Sequence, residues 1–232
     1  MALALAQAGC SLILWARRTT ALKQVARRLE SWGHPVLIQQ VDVTVPAQVR
    51  RAVALAVRRF GGLDILVNNA GVWDGDPLTS LRLEAWSRVV TTDLTSVFIV
   101  SQAVVPSMIR RRYGKIINIS STSGILAHAH GAAYCSAKAG VMHLTRVMAV
   151  EWGPYGIRVN SIAPGLFRTD MTADVFADRA WVARRTRQVP LRRFGEPEDL
   201  AGLAVFLASS ASDYMTGQTI VIDGGSSLAI GV

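Results

Sequence analysis

Cysteine is scarce in this chain: Cys10 and Cys135 are the only two in 232 residues. Two cysteines build no disulfide framework, and neither sits at metal-ligand spacing. Histidine is nearly as sparse, with four residues and no ligand motif. No metal site is expected, and a reducing cytoplasm is the expected compartment. Long uncharged apolar runs are missing too; no stretch reaches the ~18 residues of a membrane span. The opening Met1–Gly9 is apolar but lacks the basic start of a signal peptide, so it reads as a helix. The sequence shows no internal repeat, linker or low-complexity segment. Lysine is rare: of 25 basic residues only Lys23, Lys115 and Lys138 are lysines, against 16 acids and a net charge of +9. The arginines are scattered rather than gathered on one face with aromatics, so nucleic acid is not an expected partner. An anionic cofactor or substrate fits the charge better.

Half the residues are hydrophobic and 18% are charged, the balance of a globular protein with a core. Strand-like apolar runs alternate with helical stretches. Strands are predicted over Ser11–Trp15, Val36–Asp42, Leu63–Asn68, Lys115–Ser120, Arg158–Ile162 and Thr219–Ile222. Helices are predicted over Thr20–Trp32, Pro46–Phe60, Leu83–Arg112, Ala132–Trp152 and Pro197–Ala208, with an irregular stretch over Gly165–Pro190. This alternation predicts βαβ units and a parallel sheet buried on both faces.

Within the helix Ala132–Trp152, Tyr134 and Lys138 stand four residues apart, and Ser121 lies thirteen residues before Tyr134. Positions i and i+4 share a helix face. An ammonium beside a phenol favours the phenolate, which predicts a tyrosine pKa below its usual ~10. Such a tyrosine can pass a proton to or from a substrate oxygen. A serine hydroxyl can hold the same oxygen. Tyr-x-x-x-Lys alone is common in helices, and its neighbours decide the matter.

Those neighbours are Asn68-Asn69-Ala70-Gly71, the Ser121…Tyr134…Lys138 spacing, Pro164-Gly165 followed by Thr169, and Gly217 with Asp223-Gly224-Gly225. In this order and spacing, from Met1 to Val232, the chain resembles the short-chain dehydrogenase/reductase family. Ala163–Met171 and Pro190–Leu200 are similar to 3-oxoacyl-carrier-protein reductases and to gluconate or deoxygluconate dehydrogenases. The resemblance implies one dinucleotide-binding domain over residues 1–232, α/β with a doubly wound parallel sheet, binding NAD or NADP at the carboxyl ends of its strands. It implies hydride transfer between nicotinamide and a carbonyl or alcohol. Tyr134 is then the general acid/base, Lys138 lowers its pKa and bonds the nicotinamide ribose, and Ser121 orients the substrate oxygen. It also implies a homotetramer, built through two long helices and a buried tail at Ser226–Val232.

Two departures stand out. The family opens with a strand and a glycine-rich turn that holds the pyrophosphate at a helix amino end. In this sequence Met1–Ala8 matches the later part of that helix, and the strand and turn have no counterpart. The central strand would then be missing, leaving Ser11–Trp15 and Leu63–Asn68 with unpaired edges across a gap. Unpaired buried backbone groups cost roughly 1–3 kcal/mol each. A misplaced start or trimmed sequence lacking ~15–20 residues is the preferred expectation. A truncated, inactive paralogue that serves only as an oligomer partner is the alternative. The second departure is Asp93, in Asp93-Leu94-Thr95-Ser96-Val97-Phe98, where the family carries a catalytic asparagine. An ionised aspartate accepts the same hydrogen bonds but donates none. It is expected to pair with Lys138 and weaken the pull of that lysine on Tyr134.

The family's NAD-preferring members place an acid after the second strand; here Ala16, Arg17 and Arg18 follow it. Arginine pairs with a 2′-phosphate, so NADP(H) is expected, with NAD(H) as the alternative. By family position Asp42 and Val43 flank the adenine, Asn69, Ala70 and Gly71 close the loop beside it, and Pro164, Gly165 and Thr169 line the nicotinamide side. The substrate loop offers Leu166, Phe167, Met171, Val175, Phe176 and Trp181, facing Trp73, Ile125, His128 and His130. The expected substrate is a small carbonyl or alcohol: a 3-oxoacyl thioester first, a sugar acid or polyol as the alternative. Arg168, Arg184, Arg185, Arg192 and Arg193 are placed to meet an acidic carrier or acid group.

Overall fold

A computed structural model describes residues 1–228. In chain order the elements are α1 (Ala2–Gln7), β1 (Leu12–Ala16), α2 (Thr19–Glu30), β2 (Val36–Gln40), α3 (Pro46–Phe60) and β3 (Ile65–Asn68). There follow α4 (Leu83–Val90), α5 (Ser96–Arg111), β4 (Gly114–Ile119), α6 (Ala132–Trp152) and β5 (Ile157–Pro164). The chain closes with α7 (Ala173–Ala177), α8 (Arg179–Gln188), α9 (Ala201–Ala208) and β6 (Thr219–Ile222).

Every strand pair is parallel. Successive residues of a strand face opposite ways, and both faces here are covered. In β4, Ile116 enters the core formed with α3, α5 and α6, while Ile117 enters the opposite one, with Ile162 and Leu207 of α9. Hence β4 and β5 read as near-continuous apolar runs.

The strands form two sheets, ordered β1–β2 and β3–β4–β5–β6. Among the described residues no strand lies between β1 and β3, as the sequence led us to expect. The consequence is visible in burial. Ile65, Leu66 and Val67 of β3 are only half-buried, whereas Gly114–Asn118 of β4 are buried. A cluster of Leu5, Ala6, Leu12 and Leu29, packed against Val67 and Val205, ties the two sheets together through α1 and α9.

Three expectations need correction. Gly165–Pro190 is largely helical, not irregular. Asp178 caps α8 by accepting the Trp181 N–H at 3.0 Å, and the alanine and arginine that follow are strong helix formers. The helix predicted over Pro197–Ala208 starts as a 3₁₀ turn, Pro197–Leu200, and turns α-helical at Ala201. The long helix from Leu83 is interrupted by a π turn at Thr91–Thr95. Leu83–Arg111 is long and apolar enough by composition to cross a membrane, yet here its inner face packs on the sheet. Of the predicted tail, Leu228 is 84% exposed, and residues 229–232 lie outside the described residues.

Candidate active site

The carboxyl ends of β3, β4 and β5 open on one side of the sheet, where the chain must leave each strand. After β4, Ser121 takes an extended conformation and caps the short turn Thr122–Gly124, its Oγ accepting the Ser123 N–H at 3.1 Å. Ser121 is buried. One turn into α6, Tyr134 and Lys138 follow on the face that packs against this turn.

Lys138 does not reach solvent; 4% of its side chain is exposed. Its Nζ donates to the Ile119 carbonyl at 3.1 Å and stands 3.1 Å from Oδ2 of Asp93. Asp93 sits in the π turn, where the extra residue in the turn swings its side chain inward. Ser96 secures that turn by donating its hydroxyl to the Thr92 carbonyl at 2.5 Å. Asp93 Oδ1 accepts the Val72 N–H at 2.8 Å, while Oδ2 lacks an aligned hydrogen-bond donor. Burial pushes the Asp93 carboxyl up, and the Lys138 charge and the Val72 hydrogen bond draw it back down. Gly71 lets the backbone lie close against this buried pair. A Cβ there would stand 3.0 Å from Asp93 Oδ2 and 3.4 Å from Lys138 Nζ.

Tyr134 corrects an expectation. Its phenol is pushed up to about 12, not down: burial is the chief cause, the Ser121 hydroxyl works against it, and the Asp93 and Cys135 charges add to it. Lys138 Nζ lies 5.5 Å from the ring centroid, with the Asp93 carboxylate beside it. A neutralised ammonium has little pull left for a phenolate. Trp73 meets the Tyr134 ring edge-on, centroids 5.1 Å apart, and lies 5.4 Å from the His128 ring.

The sequence profile described as enoyl-(acyl carrier protein) reductase matches residues 1–227. Gluconate 5-dehydrogenase of Gluconobacter oxydans is 37% identical over 233 residues, covering 99% of this chain and 90% of that enzyme. The chain belongs to the short-chain dehydrogenase/reductase family. A 3-oxoacyl-[acyl-carrier-protein] reductase of Thermotoga maritima is 38% identical over 220 residues, covering 95% of this chain and 89% of the relative. Among solved structures, a gluconate 5-dehydrogenase from Burkholderia cenocepacia, in complex with NADP and tartrate, superposes with TM-score 0.94 at 38% identity, covering 99% of this chain and 90% of that one. This short-chain dehydrogenase/reductase is accordingly an oxidoreductase acting on CH–OH or carbonyl groups.

The structure thus brings Ser121, Tyr134, Lys138, Asp93 and Gly71 together. The other expected residues lie further along the strand ends. Arg17 borders an open cleft of about 570 Å³ shared with Gln40, Asp42, Gln48 and Arg51. Arg18 starts α2 and is exposed, 3.9 Å from an equally exposed Asp170. The Asp42 carboxylate accepts the Thr44 N–H and O–H at 2.9 and 2.6 Å, which hold its pKa below the usual range. Val43 packs against the core, and Asn69 and Ala70 are exposed after β3. Pro164 ends β5; Gly165 donates its N–H to the Ile222 carbonyl at 2.8 Å. Thr169 caps the turn Asp170–Thr172.

The substrate loop departs from expectation. Phe167 is buried and bridges to Gly195, so it belongs to the core. Phe176 and Trp181 pack on Phe194, with centroids 5.0 and 6.2 Å apart. Arg168 covers Phe176 and pairs with Glu196 at 3.3 Å, and Arg193 clamps Asp199 with two bonds at 2.6 and 2.8 Å. These two arginines are engaged internally, leaving less charge for an acidic partner than the sequence suggested. Sequence reading missed a buried chain of side chains: Asn68 Nδ2 donates to Asn118 Oδ1 at 2.8 Å, and Asn118 Nδ2 to Thr145 Oγ1 at 2.9 Å. The only signal was three polar residues inside apolar runs. Among the described residues no group of three metal-binding side chains exists.

Proposed function

We propose that this protein transfers hydride between NADP(H) and a carbonyl compound or its secondary alcohol. The convergence of Ser121, Tyr134 and Lys138 at the strand ends carries the reading. NADP(H) supplies the hydride acceptor or donor at its nicotinamide. Everything else is done by the chain. Tyr134 gives its proton to the carbonyl oxygen in reduction and takes it back in oxidation, with Ser121 holding that oxygen. Lys138, held by Ile119 and Asp93, is the residue that would hold the nicotinamide ribose.

The residues fit that cofactor at two of its parts. At Gly71 the backbone lies close against Lys138 and Asp93, where a Cβ would crowd both; Pro164, Gly165 and Thr169 would line the nicotinamide side. Arg17 and Arg18 stand for the 2′-phosphate, Asp42 and Val43 for the adenine, and Asn69 and Ala70 for the loop between. Among the described residues no glycine-rich turn lies between β1 and β3 to cradle the diphosphate.

For the substrate, similarity to 3-oxoacyl-[acyl-carrier-protein] reductases supports a 3-oxoacyl thioester. A sugar acid is the second reading, supported by the gluconate 5-dehydrogenases and by a neighbour's complex with NADP and tartrate. A homotetramer fits the apolar residues left exposed on α5 and α6, Phe98, Val147 and Val150. Calorimetric titration with NADPH, then a panel of 3-oxoacyl thioesters and keto-acids followed by loss of NADPH absorbance, tests both levels. No NADPH binding would sink the proposal and favour a non-catalytic oligomer partner. Turnover of keto-gluconates but not thioesters would select the second reading. A monomer in sedimentation would remove the tetramer.

A further inference from the structure

Hydride transfer leaves one nucleophile beside Tyr134 without a use. Cys135, half-buried at the start of α6, has its Sγ 3.5 Å from Nε2 of His128. The Ser123 hydroxyl lies 3.1 Å from the same nitrogen. On the far side of the ring, Nδ1 lies 3.2 Å from the Ala129 carbonyl oxygen. A carbonyl oxygen only accepts, so Nδ1 carries the proton and Nε2 presents a lone pair. That single lone pair is shared between Ser123 O–H, at 3.1 Å, and Cys135 S–H, at 3.5 Å. This is how an imidazole relieves a thiol of its proton and leaves a nucleophilic sulfur.

The arrangement is fitted, not incidental. A Cβ at Gly131 would stand 2.3 Å from His128 Cε1 and 2.9 Å from Cys135 Sγ, so any larger residue displaces the ring from the sulfur. Trp73 backs His128 and Tyr134 together, and both Trp73 and His128 are exposed, so the sulfur sits at the lip of the cleft. A negative charge on Cys135 also raises the Tyr134 pKa, which ties the sulfur to the phenol electrostatically.

We propose that Cys135, with His128 as its base, is a modification site for α,β-unsaturated carbonyl compounds, and that the adduct closes the active-site cleft. His128 Nε2 takes the S–H proton, and the sulfur forms a bond to the β-carbon. The C=C π pair moves to the α-carbon, which then receives the proton from Nε2. A thioether results; nothing leaves, and no outside oxidant or reductant takes part. The adduct chemistry is independent of the proposed function, and only the loss of turnover rests on it.

Cys10 is the internal control, because burial, and then the nearby Asp64, push its thiol pKa up. The folded protein is treated with N-ethylmaleimide, and adducts are timed by intact mass and peptide mapping. Cys135 is expected to react at least tenfold faster than Cys10. His128→Gln, and separately Gly131→Ala, should slow Cys135 about tenfold while both thiols still react in denaturant. Equal rates at the two cysteines, or wild-type rates in both variants, overturn the proposal. Loss of turnover should track the Cys135 adduct; full turnover of the modified protein overturns closure of the cleft. Should the wild type turn over no substrate, the mass readout still decides the thiol chemistry.

Discussion

Asp93 and Lys138 neutralise one another inside the protein: Nζ lies 3.1 Å from Oδ2, with 4% and 0% of the two side chains exposed. This pair decides how much help Tyr134 receives. A carboxylate beside the ammonium cancels the field that would otherwise stabilise a phenolate, and its own charge adds to the rise in the Tyr134 pKa.

Asp93→Asn keeps the shape and removes the charge. Tyr134 should then ionise at lower pH, and activity should hold or rise. The check is kcat/KM for oxidation against pH: the rise with pH sets in at lower pH. A fall of more than about tenfold, ~1.4 kcal/mol in the barrier, would contradict it. Asp93→Leu leaves the buried ammonium unpaired and should destabilise the fold by roughly 3–5 kcal/mol, read from denaturant midpoints.

The two reaction directions should differ in pH dependence. With Tyr134 pushed up to about 12, the protonated phenol that reduction needs is present throughout the neutral range. Reduction should therefore show no loss from Tyr134 titration there, while oxidation should climb about tenfold per pH unit. Stability follows the same sign. The native state keeps its proton where the unfolded chain loses it, so this contribution is intact below pH ~10 and falls as pH rises towards 12. Tyr134→Phe should lower kcat by roughly 10²–10⁴ without loss of NADPH binding. An oxidative rate that is flat with pH would remove Tyr134 as the base.

Gly71→Ala tests the close approach of the backbone to the pair. The new Cβ would meet Asp93 Oδ2 at 3.0 Å and Lys138 Nζ at 3.4 Å, so both must give way. The expected result is a KM for NADPH raised about tenfold, with the melting temperature nearly kept. Unchanged kinetics would mean that the cofactor does not approach Gly71.

The strand–helix alternation and the helix carrying Tyr134 and Lys138 were legible from apolar period and spacing, and the missing partner between β1 and β3 from the resemblance to the family, whose opening strand and turn have no counterpart here. The pairing of Asp93 with Lys138 was expected and is found, but the π turn that carries Asp93 was not, since such a turn has no pattern of its own. Nor was the rise at Tyr134, which needs burial of the phenol and the Asp93 charge beside Lys138. The helices after Gly165 were missed for a simpler reason: α8 is polar nearly all round, and only its Asp178 cap announces it. His128 and Cys135 lie seven residues apart, brought together across a stretch in which His130 is left-handed and Gly131 has no side chain to come between them.

Arg17 tests cofactor choice. It borders the open cleft with Asp42 and Arg51, and no acid follows β1 to repel a 2′-phosphate. Arg17→Ala should raise the KM for NADPH about tenfold and change that for NADH much less, since one charge-assisted hydrogen bond is worth ~1.5–3 kcal/mol. Equal effects on the two cofactors would show that Arg17 does not touch the 2′-phosphate.

Thr145 tests whether the buried polar chain positions the site. Its hydroxyl accepts from Asn118 at 2.9 Å and donates to the Val141 carbonyl at 2.8 Å; Asn118 in turn accepts from Asn68, the last residue of β3. The loop Asn69–Gly71 leaves β3 directly from Asn68, so the chain of bonds runs from α6 to the loop packed against Asp93 and Lys138. Thr145→Val keeps the volume but strands the Asn118 amide in a dry core, at a cost of roughly 1–3 kcal/mol. Thr145→Ser restores the hydroxyl and should recover most of that loss. If the network only holds the core together, Val lowers the denaturant midpoint and leaves kinetics alone. If it also sets the Asn68–Gly71 turn, as the Val72 N–H on Asp93 next to that turn indicates, Val raises the KM for NADPH as well, and Ser reverses both changes together.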